Sequence, residues 1–148
     1  MRICRAIFIL TCFSFMVSCS SSSRSVGPED GNIPLAGEEG ILKDVNFDYD
    51  SYGLDSSAKG KLDKNAAWLK DNSDQKVQIE GHCDERGTTE YNRVLGQRRA
   101  QAVSDYLSSQ GVDAGRMSIV SYGEELPLDP GHNEVAWAKN RRAHFNMQ

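Results

Sequence analysis

Residues 80–107 read EGHCDERGTTEYNRVLGQRRAQAVSDYL, the end of a strand, a tight polar loop, and a long amphipathic helix with one charge out of place. Wound at 100° per residue, Tyr91, Val94, Leu95, Ala102, Val103 and Tyr106 fall along one apolar stripe. Arg99 lies near the middle of that stripe, and Arg98 at its margin, where a long side chain reaches water. A guanidinium among core positions needs a partner, because stranding a buried charge costs about 3–5 kcal/mol. Candidate anions for it are Asp84 and Glu85, in the loop that feeds the helix. With one of them beside Arg99 at a sheet-edge cleft, a carboxylate and a guanidinium would suit a zwitterionic ligand. The plainer alternative is an internal salt bridge that only fixes the loop.

On either side of this stretch the chain alternates strands and helices. Residues 41–47 form a first strand with Val45 and Phe47 on one face, and residues 48–54 a polar and aromatic loop. Ser56 or Ser57 caps a helix to about Asp71 with Leu62, Ala66 and Leu69 in helical spacing. Residues 76–81 alternate strictly, Val77 and Ile79 inward, Gln78 and Glu80 toward solvent. Thr88 or Thr89 caps the central helix, Glu90 favours its dipole, and Gly111 stops it. Residues 116–122 make a third strand, 123–131 a loop stiffened by Pro127 and Pro130, 133–139 a helical turn or two, and 142–147 a closing strand. The order β-α-β-α-β-β predicts a two-layer α/β (α+β) sandwich, its helices on one face of a mixed sheet.

Residues 1–18 read as a targeting segment: Arg2 and Arg5, an apolar run from Ala6 to Val17, and a small residue, Ser18, before Cys19. That run is shorter than the roughly 20 apolar residues a membrane span needs. Residues 16–19 resemble the lipobox of bacterial lipoproteins, with Met16 where Leu is usual, which makes Cys19 the lipidation site and Ser20 a signal for outer-membrane delivery. Residues 19–40 are rich in Ser, Gly, Pro and acid and form a flexible tether with a span of roughly 25 Å. Residues 41–148 form one domain. Cys4 and Cys12 leave with the signal and Cys19 takes lipid, so Cys83 remains as a lone thiol or an intermolecular disulfide. Loss of Arg2 and Arg5 takes the net charge from −4 to −6, which argues against nucleic-acid binding.

GHCDERG at 81–87, Tyr91-Asn92, Leu95-Gly96, Arg98-Arg99-Ala100, SYGE at 121–124, Gly131-His132 and Asn140-Arg141-Arg142 together resemble the OmpA-like domain family. With lipobox and tether, the chain is similar to the peptidoglycan-associated lipoproteins (Pal) of that family. The resemblance implies an outer-membrane lipoprotein, its domain facing the periplasm. It also implies non-covalent binding of peptidoglycan through stem-peptide diaminopimelate, and membership of the Tol-Pal system with its periplasmic Tol proteins, serving envelope integrity and cell division. No cofactor and no catalysis are implied. By the resemblance, Asp84 takes the diaminopimelate ammonium and Arg99 its distal carboxylate. Phe47 and Asp48 are cleft residues, Leu95 an apolar wall, and Asn92 a motif position of structural character. An Arg fork and the N-terminus of the central helix both favour a carboxylate.

Two other readings compete. His82, Cys83, Asp84 and Glu85 are four potential metal ligands or catalytic groups in one loop, but successive residues leaving a strand point to opposite faces, and no second Cys or His pair completes a site. Alternatively, the fold serves mainly as a protein-docking module in the envelope. Arg141 and Arg142 read as a solvated strand end, and Trp68 and Trp137 as core or rim packing.

Overall fold

The computed structural model describes residues 40–148, so the targeting segment, Cys19 and nearly all of the tether lie outside the described residues. Its elements are β1 (Val45–Asn46), α1 (Ser56–Asp71), β2 (Val77–His82), α2 (Thr89–Ser109), a 3₁₀ turn (Ala114–Arg116), β3 (Met117–Gly123), α3 (Glu134–Asn140) and β4 (Arg142–Met147). The four strands lie in the order β1-β4-β2-β3. β2 and β3 are parallel, and β4 runs antiparallel to both β1 and β2. Leu62, Ala66 and Leu69 of α1 and Ala100, Val103 and Leu107 of α2 share one core with Val45, Val77, Ile79, Ala143 and Phe145. Both long helices therefore cover one face of a mixed sheet, the two-layer α/β sandwich expected from the sequence.

Several local readings shift. Asp55, one residue before the expected serines, caps α1 by accepting from the Ala58 amide at 2.7 Å. Thr88 caps α2 by accepting from the Tyr91 amide. The apolar stripe of α2 is rotated: Asn92, Leu95, Gly96, Arg99, Ala100, Val103 and Leu107 are buried, while Tyr91 is 52% and Val94 44% exposed. The cause is a close approach that periodicity does not weigh. A Cβ on Gly81 would lie 1.9 Å from the Gly96 carbonyl oxygen, so α2 meets β2 glycine to glycine and turns Tyr91 and Val94 outward.

The first strand is two residues long rather than seven. Asn65 of α1 takes the place of a strand neighbour, accepting from the Lys43 amide and donating to the Lys43 carbonyl, each at 2.9 Å. Glu80 is buried rather than solvated, since Asn146 of β4 donates to it. At the opposite end of the sheet from the cleft, Arg116 clamps the end of α1 through the carbonyls of Leu69, Asn72 and Gln75. Lys, Arg and His side chains are favoured at a helix C-terminus for this reason.

Candidate ligand cleft

α2 ends its first turns against the loop that leaves β2, and a cleft of about 100 Å³ opens between them. That is room for a small charged group. Its lining includes Asp84, Asn92, Leu95 and Arg99, four of the six expected site residues, with Cys83, Arg86, Tyr49, Tyr91 and Arg141. Phe47 and Asp48 line a shallower hollow next to it, of about 360 Å³, and Arg141 borders both. Phe47 and Asp48 also act on the cleft from behind. The Arg99 guanidinium stands 5.1 Å from the Phe47 ring centroid, and the Asp48 carbonyl accepts from Arg99 Nη2 at 3.1 Å.

Arg99 is 1% exposed, as its place mid-stripe requires, but its partners differ from those expected. Nε donates to the Ser51 carbonyl at 2.8 Å, Nη1 to the His82 carbonyl at 2.8 Å and to Cys83 Sγ at 3.4 Å. No hydrogen bond links it to Asp84. The cation is held by the loop after β1 and the end of β2, whose carbonyls carry no signature in the sequence. Burial lowers its pKa, and the nearby Cys83 and Asp84 offset this in part.

Asp84 is paired instead with two other arginines. Oδ1 accepts from the Arg86 amide at 3.1 Å and Nε at 3.2 Å, and Oδ2 from Arg86 Nη2 at 2.6 Å and Arg141 Nη1 at 3.1 Å. Burial pushes this carboxyl up, but the bonds from Arg86 and Arg141 outweigh it and hold the group below the usual carboxylate range. Arg141 is no solvated strand end. It is 7% exposed, donating to the Phe47 carbonyl, Asp84 and Glu134. Arg142 is buried too, 3.7 Å from Asp44.

Asn92 staples the loop, its side-chain amide donating to the Asp84 and Arg86 carbonyls and to Glu124. Gly87, at φ 121°, makes the turn that lets these carbonyls converge, a conformation other residues rarely adopt. At the start of α2, Thr88 already occupies the Tyr91 amide, one of the first-turn N–H groups that would otherwise face an anion. Cys83 is buried, its thiol donating to the Asn92 carbonyl, so an intermolecular disulfide has no access. Burial raises its pKa to about 11 against the pull of Arg99, leaving it a thiol rather than a thiolate. Among the described residues, no group of three or more His, Cys, Asp or Glu side chains is placed to share a metal ion.

Sequence reasoning missed Arg86, Arg141 and the aromatic rim. Arg86 stacks between Tyr49 and Trp137, 4.1 and 4.2 Å from their ring centroids, and Trp137 is anchored by its indole N–H on Glu85. Arg86 lay inside the GHCDERG stretch, and its distance of two residues from Asp84 was the available signal.

Residues 46–141 match the model of the OmpA family. The chain belongs to the OmpA family. It is 41% identical over 144 residues to the peptidoglycan-associated lipoprotein of Pasteurella multocida, covering 96% of each chain. It is 47% identical to that of Pseudomonas aeruginosa over 78% of this chain and 68% of the relative. The crystal structure of the peptidoglycan-associated lipoprotein from Burkholderia pseudomallei superposes with a TM-score of 0.69 at 45% identity, over 71% of this chain and 89% of that one. The C-terminal domain of Helicobacter pylori MotB shares the fold, with a TM-score of 0.68 at 19% identity, over 72% of this chain and 84% of that one. Within the family, the chain groups with the peptidoglycan-associated lipoproteins. Among the described residues no helix is long and apolar enough to cross a membrane.

Proposed function

We propose that this chain is a lipid-anchored outer-membrane protein whose periplasmic domain binds peptidoglycan non-covalently and tethers the membrane to the wall. The ligand is the diaminopimelate of the stem peptide, and the protein works by binding, without catalysis, within the Tol-Pal system that supports envelope integrity and cell division. One observation carries the reading: a single cleft brings together a charged Asp84 carboxylate and the buried Arg99 cation. Such a pairing of opposite charges fits a group that is ammonium and carboxylate at once, and the relatives' shared name points to peptidoglycan as its bearer. Leu95 supplies an apolar wall for the aliphatic part of the ligand. Individual bonds are weak, and many anchored copies on one polymer gain avidity through effective concentration.

The test is a calorimetric titration of the full chain in detergent with a stem peptide carrying diaminopimelate and its lysine counterpart. Wild type binds the first and not the second, and Asp84→Asn loses at least tenfold in affinity for the first, about 1.4 kcal/mol. Full affinity in Asp84→Asn would remove Asp84 from the site. A second reading, a protein-docking module, is favoured by the exposed Tyr91 and Val94 beside a hollow of about 400 Å³ that reaches Leu95 and Arg98. Binding of neither peptide by wild type moves the weight to it.

A further inference from the structure

The cleft is already full of its own charges. A carboxylate offers about four lone-pair sites, and Asp84 accepts four hydrogen bonds, three from Arg86 and one from Arg141. A guanidinium carries five N–H donors, and Arg99 spends four, on Ser51, His82, Cys83 and Asp48. An incoming ammonium thus finds no vacant acceptor on Asp84, and an incoming carboxylate finds a single N–H on Arg99 rather than a fork. Something must move for a zwitterion to bind.

Of the arginines here, Arg86 has the freedom to do so. Its side chain is 29% exposed, against 8% for Arg141, which the Phe47 carbonyl pins from behind. Arg86 reaches Asp84 from a loop two residues away and rests on the faces of Tyr49 and Trp137, a track along which a cation slides without leaving π-density. Its other anion, Glu134 at 3.6 Å, is 63% exposed, and ion pairs that exposed contribute little.

Resting on the diaminopimelate reading, we propose that Arg86 is the exchangeable occupant of the site and its specificity determinant: the ligand ammonium takes its place on Asp84, and the displaced guanidinium closes on the ligand carboxylate. The exchange replaces one ion pair with two for a zwitterion. A lone ammonium breaks one pair to make one and leaves Arg86 with only the exposed Glu134 for an anion. The lysine peptide is therefore rejected by competition from Arg86, before any clash or misfit in the pocket.

Arg86→Gln removes the competitor. In the paired titrations, Arg86→Gln should bind the lysine peptide at least tenfold more tightly than wild type does, so that discrimination between the peptides falls at least tenfold. Wild type that reads diaminopimelate, together with an Arg86→Gln variant of unchanged discrimination, overturns the exchange and leaves the functional reading standing. Wild type blind to both peptides overturns both. A second measurement keeps Arg86 in place. The chain has two tryptophans, so in a Trp68→Phe background the emission reports Trp137 alone. Saturation with the diaminopimelate peptide should change that emission as Arg86 shifts across the ring, and binding seen by calorimetry with no change in emission would overturn the exchange.

Discussion

The end of β2 sends ionisable groups to both sides of the sheet, and the two sides treat them oppositely. On the helix side, Asp84 and Arg99 keep their charges because nearly every donor and acceptor is used. On the other side, His82 is buried and stacked on Tyr122 with ring centroids 5.6 Å apart, and neither ring nitrogen has a hydrogen-bond partner among the described residues. Burial first, and then Arg142, lowers its pKa to about 3. At neutral pH it carries no charge, so its 3.6 Å approach to Glu80 is not an ion pair. Arg142 Nη1 beside it is also unsatisfied. Saturation preserves charge and permits only exchange, which suits a ligand site. Unsatisfied burial neutralises the group and makes that face respond to protons.

The largest effect should come from breaking the saturated side. Arg99→Met strands the buried His82 carbonyl and the part-buried carbonyls of Asp48 and Ser51, and at the lower end of about 1–3 kcal/mol for each orphan the loss is about 3 kcal/mol, a large share of an ordinary domain's 5–15 kcal/mol. Urea unfolding at pH 7 measures it, and diaminopimelate binding should disappear as well. A variant within 1 kcal/mol of wild type would mean that the carbonyl net is ornamental and that the contrast between the faces is false.

Arg99 also marks where the sequence was legible and where it was not. Helical spacing alone put a cation at the centre of a buried face, because the period of 3.6 is local. Its partners are backbone carbonyls, which every residue possesses and which no residue type announces, so the expected Asp84–Arg99 bond was a wrong choice among unseen acceptors. The alternation in Val77 and Ile79 and a threonine cap at 88 or 89 were legible for the same local reason. Arg141 was not, since it meets Asp84 only after 57 residues of chain are folded back by the antiparallel pairing of β4 with β1 and β2. Even the rotation of α2 was set by two glycines, residues with no side chain for a hydrophobic pattern to count.

On the unsaturated side the prediction is one of pH. The folded pKa of His82 lies below the ordinary 6.5, so the unfolded chain takes up the proton first. Stability from this group is present above 6.5 and is lost as pH falls from there toward 3. At pH 4.5 the loss is about 3 kcal/mol, taking 1.36 kcal/mol per pKa unit. His82→Phe removes the titration and keeps a ring on Tyr122. Between pH 7 and 4.5 wild type should lose about 3 kcal/mol more than the variant in urea unfolding, the protonation of other carboxylates cancelling in the difference. Parallel losses would place His82 in contact with water or a partner.

The smallest effect tests whether the outer face is uniform. His144 lies on it too, but its Nδ1 meets Asp44 at 2.8 Å, and that bond, then burial in the opposite direction, leaves its pKa above the usual 6.5. The sign is therefore reversed: the contribution is fully present below 6.5 and fades as pH rises through the folded pKa. The pair is partly exposed, 42% for His144 and 34% for Asp44, so solvent screening reduces it to a few tenths of a kcal/mol. His144→Gln should accordingly match wild type at pH 9 and fall slightly below it at pH 6, read as a small shift in urea midpoint. A variant that is weaker by the same amount at both values would show that His144 acts by packing. The titration of the outer face would then belong to His82 alone, the one imidazole there with no acid bonded to it.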